Sequence, residues 1–115
     1  MKLIATYKDG KKGEWGKYVS LNTAVKNATM VLQDHGWPNR NLTYREPYYD
    51  IDAFTIVSDD KRRKIATVRP TYITVNGKKT FVYKLILEKK DKMGRRTYYV
   101  NRHTYKLQTK KEMFP

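Results

Sequence analysis

The chain has no cysteine, two histidines and only 11 acidic side chains in 115 residues. Lack of cysteine excludes a disulfide scaffold, a thiolate nucleophile and a cysteine zinc site. Long apolar runs are missing as well. No strongly apolar stretch exceeds three residues, Leu85 to Leu87 being one example, whereas a helix that crosses a bilayer needs ~20. The segment Met1 to Lys8 starts positive, but its apolar part is too short for a signal peptide. Residence in the cytoplasm, away from membranes, is the resulting expectation. Glycine-rich phosphate loops, a Ser-His-Asp order and cofactor fingerprints are absent, so neither a cofactor nor a metal is expected. His35 falls on the apolar stripe of a helix and His103 in a basic strand, and neither has a visible partner for acid–base work.

Positive charge is what the chain has in abundance: 25 Lys and Arg residues give a formal net charge of +14. Such a charge repels itself and adds little to folding, so it implies a counter-charged partner or an unusually soluble surface. It is also segregated. Lys78 to Lys111 holds 12 basic and two acidic residues, a local net of +10, while Leu42 to Asp60 holds five acids and one Arg.

The length suits a single domain over residues 1–115. Leu3, Ala5 and Tyr7 alternate with Ile4, Thr6 and Lys8, which predicts a strand turning at Asp9-Gly10 into a partner over Glu14–Val19. Leu21, Ala24, Val25, Ala28, Val31, Leu32 and His35 recur at three- and four-residue steps, one apolar stripe of a helix. Ser20 or Asn22 can cap its start, and Gly36 and Pro38 end it. Residues 37–50 read as a loop. Strands are then predicted over Ala53–Ser58, Lys64–Arg69, Tyr72–Val75, Thr80–Glu88 and Thr97–Leu107. Pro70 ends the second of these or marks an edge, and Asn76-Gly77 is the strongest hairpin signal in the chain. The tail 109–115 is expected to fray. The fold class is therefore α+β: one amphipathic helix packed on a largely antiparallel sheet of five or six strands, with Phe81, Tyr83, Leu85 and Leu87 beneath the helix.

The charge collects at the turns of this layout. Arg62, Arg63 and Lys64, then Lys78 and Lys79, then Lys89, Lys90, Lys92, Arg95 and Arg96 all lie at or beside hairpin turns. Arg102 follows in the last strand. Exposed Lys at turns is also a common device against aggregation, but basic clusters at turn after turn exceed what that purpose needs. Tyr98 and Tyr99 directly follow Arg95-Arg96, and in a strand their rings point to opposite faces. An exposed ring beside Arg is the pairing that single-stranded nucleic acid requires, and Tyr105 is a third candidate for it. No RNP-type, helix-turn-helix or zinc-finger signature accompanies them, which leaves sequence-specific readout without support.

A metal-dependent nuclease would need clustered carboxylates near a Lys. Asp50, Asp52, Asp59 and Asp60 are available, and Glu88-Lys89-Lys90 resembles the second half of the PD-(D/E)xK nuclease motif. The upstream Pro-Asp is missing, since Asp50 follows Tyr49. In composition and size alone, the chain resembles the small Lys- and Tyr-rich early proteins of bacteriophages and mobile elements. That group includes inhibitors of host nucleic-acid machines such as anti-CRISPR proteins. The expected function is a non-catalytic, nucleic-acid-binding accessory protein of that kind, whose partner is DNA, RNA or a nucleic-acid–protein complex. The alternatives are an inhibitor that sets its basic face against an acidic protein surface or a ribonucleoprotein, and a small nuclease or RNase toxin.

Overall fold

Residues 1–35, 37 and 50–115 are described in a computed structural model of the chain. Apolar alternation builds the first hairpin, in which β1 (Lys2–Tyr7) returns as β2 (Lys12–Lys17). The predicted partner strand thus begins and ends two residues early, and Val19 stands 99% exposed beyond it. Helix α1 (Leu21–Asp34) follows. Its N-terminus is closed by Ser20, whose hydroxyl accepts from the Thr23 N–H at 3.2 Å. His35 is its C-cap. The buried side chains Ala24, Val25, Ala28, Thr29 and Leu32 keep helical spacing. The Thr29 hydroxyl donates to the Val25 carbonyl at 2.9 Å, so its burial leaves no bare donor. The loop read over residues 37–50, with Gly36 and Pro38, lies outside the described residues apart from Trp37 and Asp50.

The remaining strands are β3 (Ile51–Val57), β4 (Lys64–Val75), β5 (Lys78–Leu87), β6 (Thr97–Val100) and β7 (Leu107–Gln108). They form one seven-stranded sheet in the order β2-β1-β3-β4-β5-β6-β7, and every neighbouring pair is antiparallel. The class is the expected α+β, with seven strands in place of five or six. Two corrections account for the difference in layout. The strand predicted over Thr97–Leu107 is broken at Asn101, whose side-chain oxygen accepts from the N–H groups of His103 and Thr104 at 2.9 and 3.0 Å. Tyr105 then turns the chain with a φ of 60°. This local Asx turn competes successfully with strand continuation.

Conversely, Pro70 does not end its strand. It sits within the 12-residue β4, paired with Tyr83. Among the described residues the β3–β4 ladder stops at the Phe54–Val68 pair. Among the described residues, β4 from Pro70 onward is paired on one side only, which is the edge setting that tolerates a missing N–H. Asn76 and Gly77 close the β4–β5 hairpin with φ of 49° and 76°, both positive as a two-residue primed turn requires.

One core cluster joins Leu3, Ala5, Phe54, Ile56, Ala66, Val68, Tyr83, Leu85 and Val100 to the apolar stripe of α1. The helix packs on β1, β3 and β4. It was expected over β5; Tyr83 and Leu85 of that strand do join its buried cluster, while the crossover from β2 to β3 sets its main packing on β1, β3 and β4. The segment read as a frayed tail instead carries one helical turn, α2 (Lys110–Met113), with a capping box between Thr109 and Glu112. Among the described residues no helix is long and apolar enough to cross a membrane.

Leu32 and Leu85 are both fully buried in the one cluster. Truncating either to Ala should lower the unfolding free energy by ~2–5 kcal/mol, read from the shift of the urea midpoint at unchanged slope. Near-neutral effects at both positions would place the helix elsewhere.

Candidate phosphate-facing surface

Because β3 and β5 are each antiparallel to β4, the β3–β4 and β5–β6 turns leave the sheet at the same end. Two of the basic clusters therefore meet there. The Glu88 N–H donates to the Ile65 carbonyl at 2.9 Å and the Leu87 N–H to the Arg96 carbonyl at 2.7 Å, which ties the two turns to one frame. Arg62, Arg63, Lys64 and Lys89 line a shallow cleft of about 530 Å³ whose floor includes Ile65 and Leu87. Lys90, Lys92, Arg95 and Arg96 project from the same loop and are exposed. Lys78 and Lys79 lie at the opposite end, beyond the length of β4, and Arg102 lies there too, in the turn that follows β6. The thirteen candidate residues are thus divided between two ends of the sheet, with Tyr98 and Tyr99 in β6.

Few acids are present at the basic end, and each described one is engaged within the protein. Asp59 holds the Met1 ammonium at 2.7 Å and Lys17 at 3.4 Å. Asp60 accepts from the Ser58 hydroxyl at 2.6 Å and from the Arg62 N–H at 3.0 Å. Glu14 bridges Lys61 at 2.7 Å and Lys2 at 3.3 Å, and the Lys61 hydrogen bond above all holds its carboxyl below the ordinary glutamate range. Glu88 stands 3.9 Å from Lys64. By contrast, Arg62, Arg63, Lys89, Lys90, Lys92, Arg95 and Arg96 enter no ion pair among the described residues. Exposed pairs contribute little to stability; their effect here is to occupy most of the neighbouring acids and leave these cations without an ion-pair partner.

Asp91 shapes the longer turn. One of its carboxylate oxygens accepts from the N–H groups of Met93 and Arg95, both at 2.9 Å, and the Tyr98 hydroxyl donates to the other. Gly94, at a φ of 75°, lets the backbone reverse between them. The Tyr98 hydrogen bond, followed by that from the Arg95 N–H, lowers the Asp91 pKa, and the same bond to Asp91 raises that of Tyr98. An acid inside the basic loop therefore orients its cations.

Of the three tyrosines read as stacking rings, Tyr98 and Tyr105 are part-buried and Tyr99 is buried. Tyr98 is committed to Asp91 and packs against the core. Tyr99 is buried, beside Lys84. Tyr105 donates to Gln33 at 3.1 Å. Sequence reading missed Tyr72, which is 48% exposed at the other end. The signal was present: counting back from the Asn76-Gly77 loop puts Tyr72 directly opposite Phe81.

The carboxylates considered for a nuclease do not converge. Asp50 and Asp52 lie at the start of β3, and Asp59 and Asp60 lie beyond its end, toward Glu88. Among the described residues no three of His, Asp and Glu gather as a metal ion needs. His35 donates from Nδ1 to the Val31 carbonyl, 2.8 Å away, as part of the helix cap, and His103 is exposed in the turn after β6. No family model matches the chain, and no curated protein or solved structure is significantly similar to it.

The lowered Asp91 pKa has a definite sign. Its contribution to loop order is present above the ordinary aspartate range and is lost as pH falls through the lower, folded value. In a proton NMR titration the Met93 and Arg95 amide shifts should move together, with a midpoint below that of an unperturbed aspartate. Tyr98→Phe should raise that midpoint. Independent midpoints for the two amides would show that Asp91 does not organise the loop.

Proposed function

We propose that the protein is a non-catalytic nucleic-acid-binding accessory protein whose principal phosphate-facing surface is the basic end of the sheet. The observation that carries this reading is the pairing of the Arg62–Lys64 and Lys89–Arg96 turns at one end. Seven cations there lack an ion-pair partner among the described residues, while the neighbouring acids are held internally. Solvated cations on short turns keep their charge and lose little solvation when they meet a phosphate. Each one that does so on duplex DNA releases roughly one counterion. Backbone contacts of this kind position a nucleic acid without reading its sequence, which suits a chain with no base-reading motif.

Charge-reversal variants on the two turns test this surface. Arg62→Glu and Arg95→Glu, one on each turn, should each flatten the log–log salt dependence of binding to a random duplex by at least about one unit. The pair together should lose both increments. Lys11→Glu with Lys12→Glu, in the β1–β2 hairpin, should have a smaller effect. Equal losses in the two double variants would mean that net charge acts diffusely. Weak, salt-insensitive binding by the unaltered protein would shift the reading to an inhibitor docked on an acidic protein surface.

A further inference from the structure

The opposite end of the sheet carries a second set of groups. β3 pairs with β4 no further than Val68, and β6 pairs with β5 only from Lys84 upward. Between those limits Thr71–Val75 and Lys78–Val82 pair only with each other among the described residues, as a two-stranded arm closed by Asn76-Gly77. From Lys61 to Leu87 the hairpin contains eight Lys or Arg residues and no acid. On one face of the arm, the half-exposed Tyr72 ring meets Phe81 edge-on at 5.4 Å. The Lys79 ammonium sits 4.6 Å from the Tyr72 ring centre. The Arg102 guanidinium lies over the Phe81 ring at 5.5 Å, and Trp37 stacks on Phe81 at 6.3 Å and 15°.

A single exposed aromatic is ordinary on a protein surface; its surroundings distinguish this one. Phe81, itself held by Trp37 and Tyr83, fixes the Tyr72 ring from behind. A cation lies over each ring of the pair, Lys79 over Tyr72 and Arg102 over Phe81. A base that displaces the Lys79 ammonium from over the Tyr72 ring gains a flat aromatic face, and the two cations are left to meet its phosphates. We infer that the Tyr72–Phe81 arm is a stacking site for single-stranded nucleic acid, with Tyr72 against a base and Lys79 and Arg102 facing the flanking phosphates. Bases in a duplex have both faces covered by their neighbours, so the arm favours single strands. This inference rests on the nucleic-acid reading above and adds a substrate class to it.

Fluorescence anisotropy with a labelled oligothymidylate and a duplex of the same length tests it. Tyr72→Leu keeps apolar bulk against Phe81 and removes the ring; it should weaken oligothymidylate binding roughly fivefold or more and leave the duplex unchanged. Tyr72→Phe should bind both probes as the unaltered protein does. Should Tyr72→Leu melt early, Lys79→Gln reads the same site by flattening the salt slope for oligothymidylate alone. Full oligothymidylate affinity in Tyr72→Leu, alongside its loss in Arg62→Glu/Arg95→Glu, overturns the stacking site and leaves the basic end standing. Equal weakening for strand and duplex overturns the single-strand preference. No binding of either probe by the unaltered protein overturns both readings.

Discussion

Self-repulsion among 25 basic side chains is the constraint under which this fold is built. Eleven acids cannot neutralise them, so where each acid is placed decides which cations remain available. Asp59 and Glu14 take the Met1 ammonium, Lys17, Lys2 and Lys61 at the strand edges. Asp91 enters no ion pair among the described residues and instead accepts two backbone N–H groups and the Tyr98 hydroxyl. Its charge offsets part of the repulsion in the turn, and its hydrogen bonds give that turn a fixed shape. Charge-assisted bonds of this type are the stronger class, which is why one carboxylate can order a loop bearing five cations.

Packing supplies the stability that charge does not. α1 closes one face of the sheet with small residues, Ala24 and Ala28, that allow a close approach, and with Val25 and Leu32 that fill the space over β1, β3 and β4. The core is thus concentrated beneath the helix. The β4–β5 hairpin extends beyond it, anchored at its base by Tyr83, whose hydroxyl donates to the Trp37 carbonyl at 3.2 Å. Burial pushes the pKa of that hydroxyl up to about 12, so it remains a donor throughout the physiological range. The result is a rigid middle with one short cationic end and one projecting arm.

Much of this could be read from the sequence where the signal is local. The α1 stripe, the Ser20 cap and the Asn76-Gly77 hairpin each depend on residues within one or two turns of chain, and each was identified. Asn101 was also a local signal, but Tyr, Val and Leu on either side favoured a continuous strand and masked the Asx turn. The position of α1 over β3 and β4 was not legible, because it follows from a crossover whose strand order only long-range pairing decides. The same holds for the surface. Adjacent basic residues were visible as clusters, yet only the antiparallel order of β3, β4 and β5 puts Arg62 near Lys89 and sends Lys78 to the far end. Tyr98 and Tyr99 illustrate the limit most directly: alternation sends them to opposite faces, but only the fold shows the Tyr98 hydroxyl bonded to Asp91 and Tyr99 buried beside Lys84.

Residue-by-residue NMR mapping during titration with a short duplex tests the central claim most directly, since it reports where phosphate is met. The account predicts that the amides of Arg62–Lys64 and Lys89–Arg96 shift together along one binding curve, with Lys11 and Lys12 little changed. Shifts spread over every exposed basic residue in proportion to its exposure, with no common curve for the two turns, would contradict it.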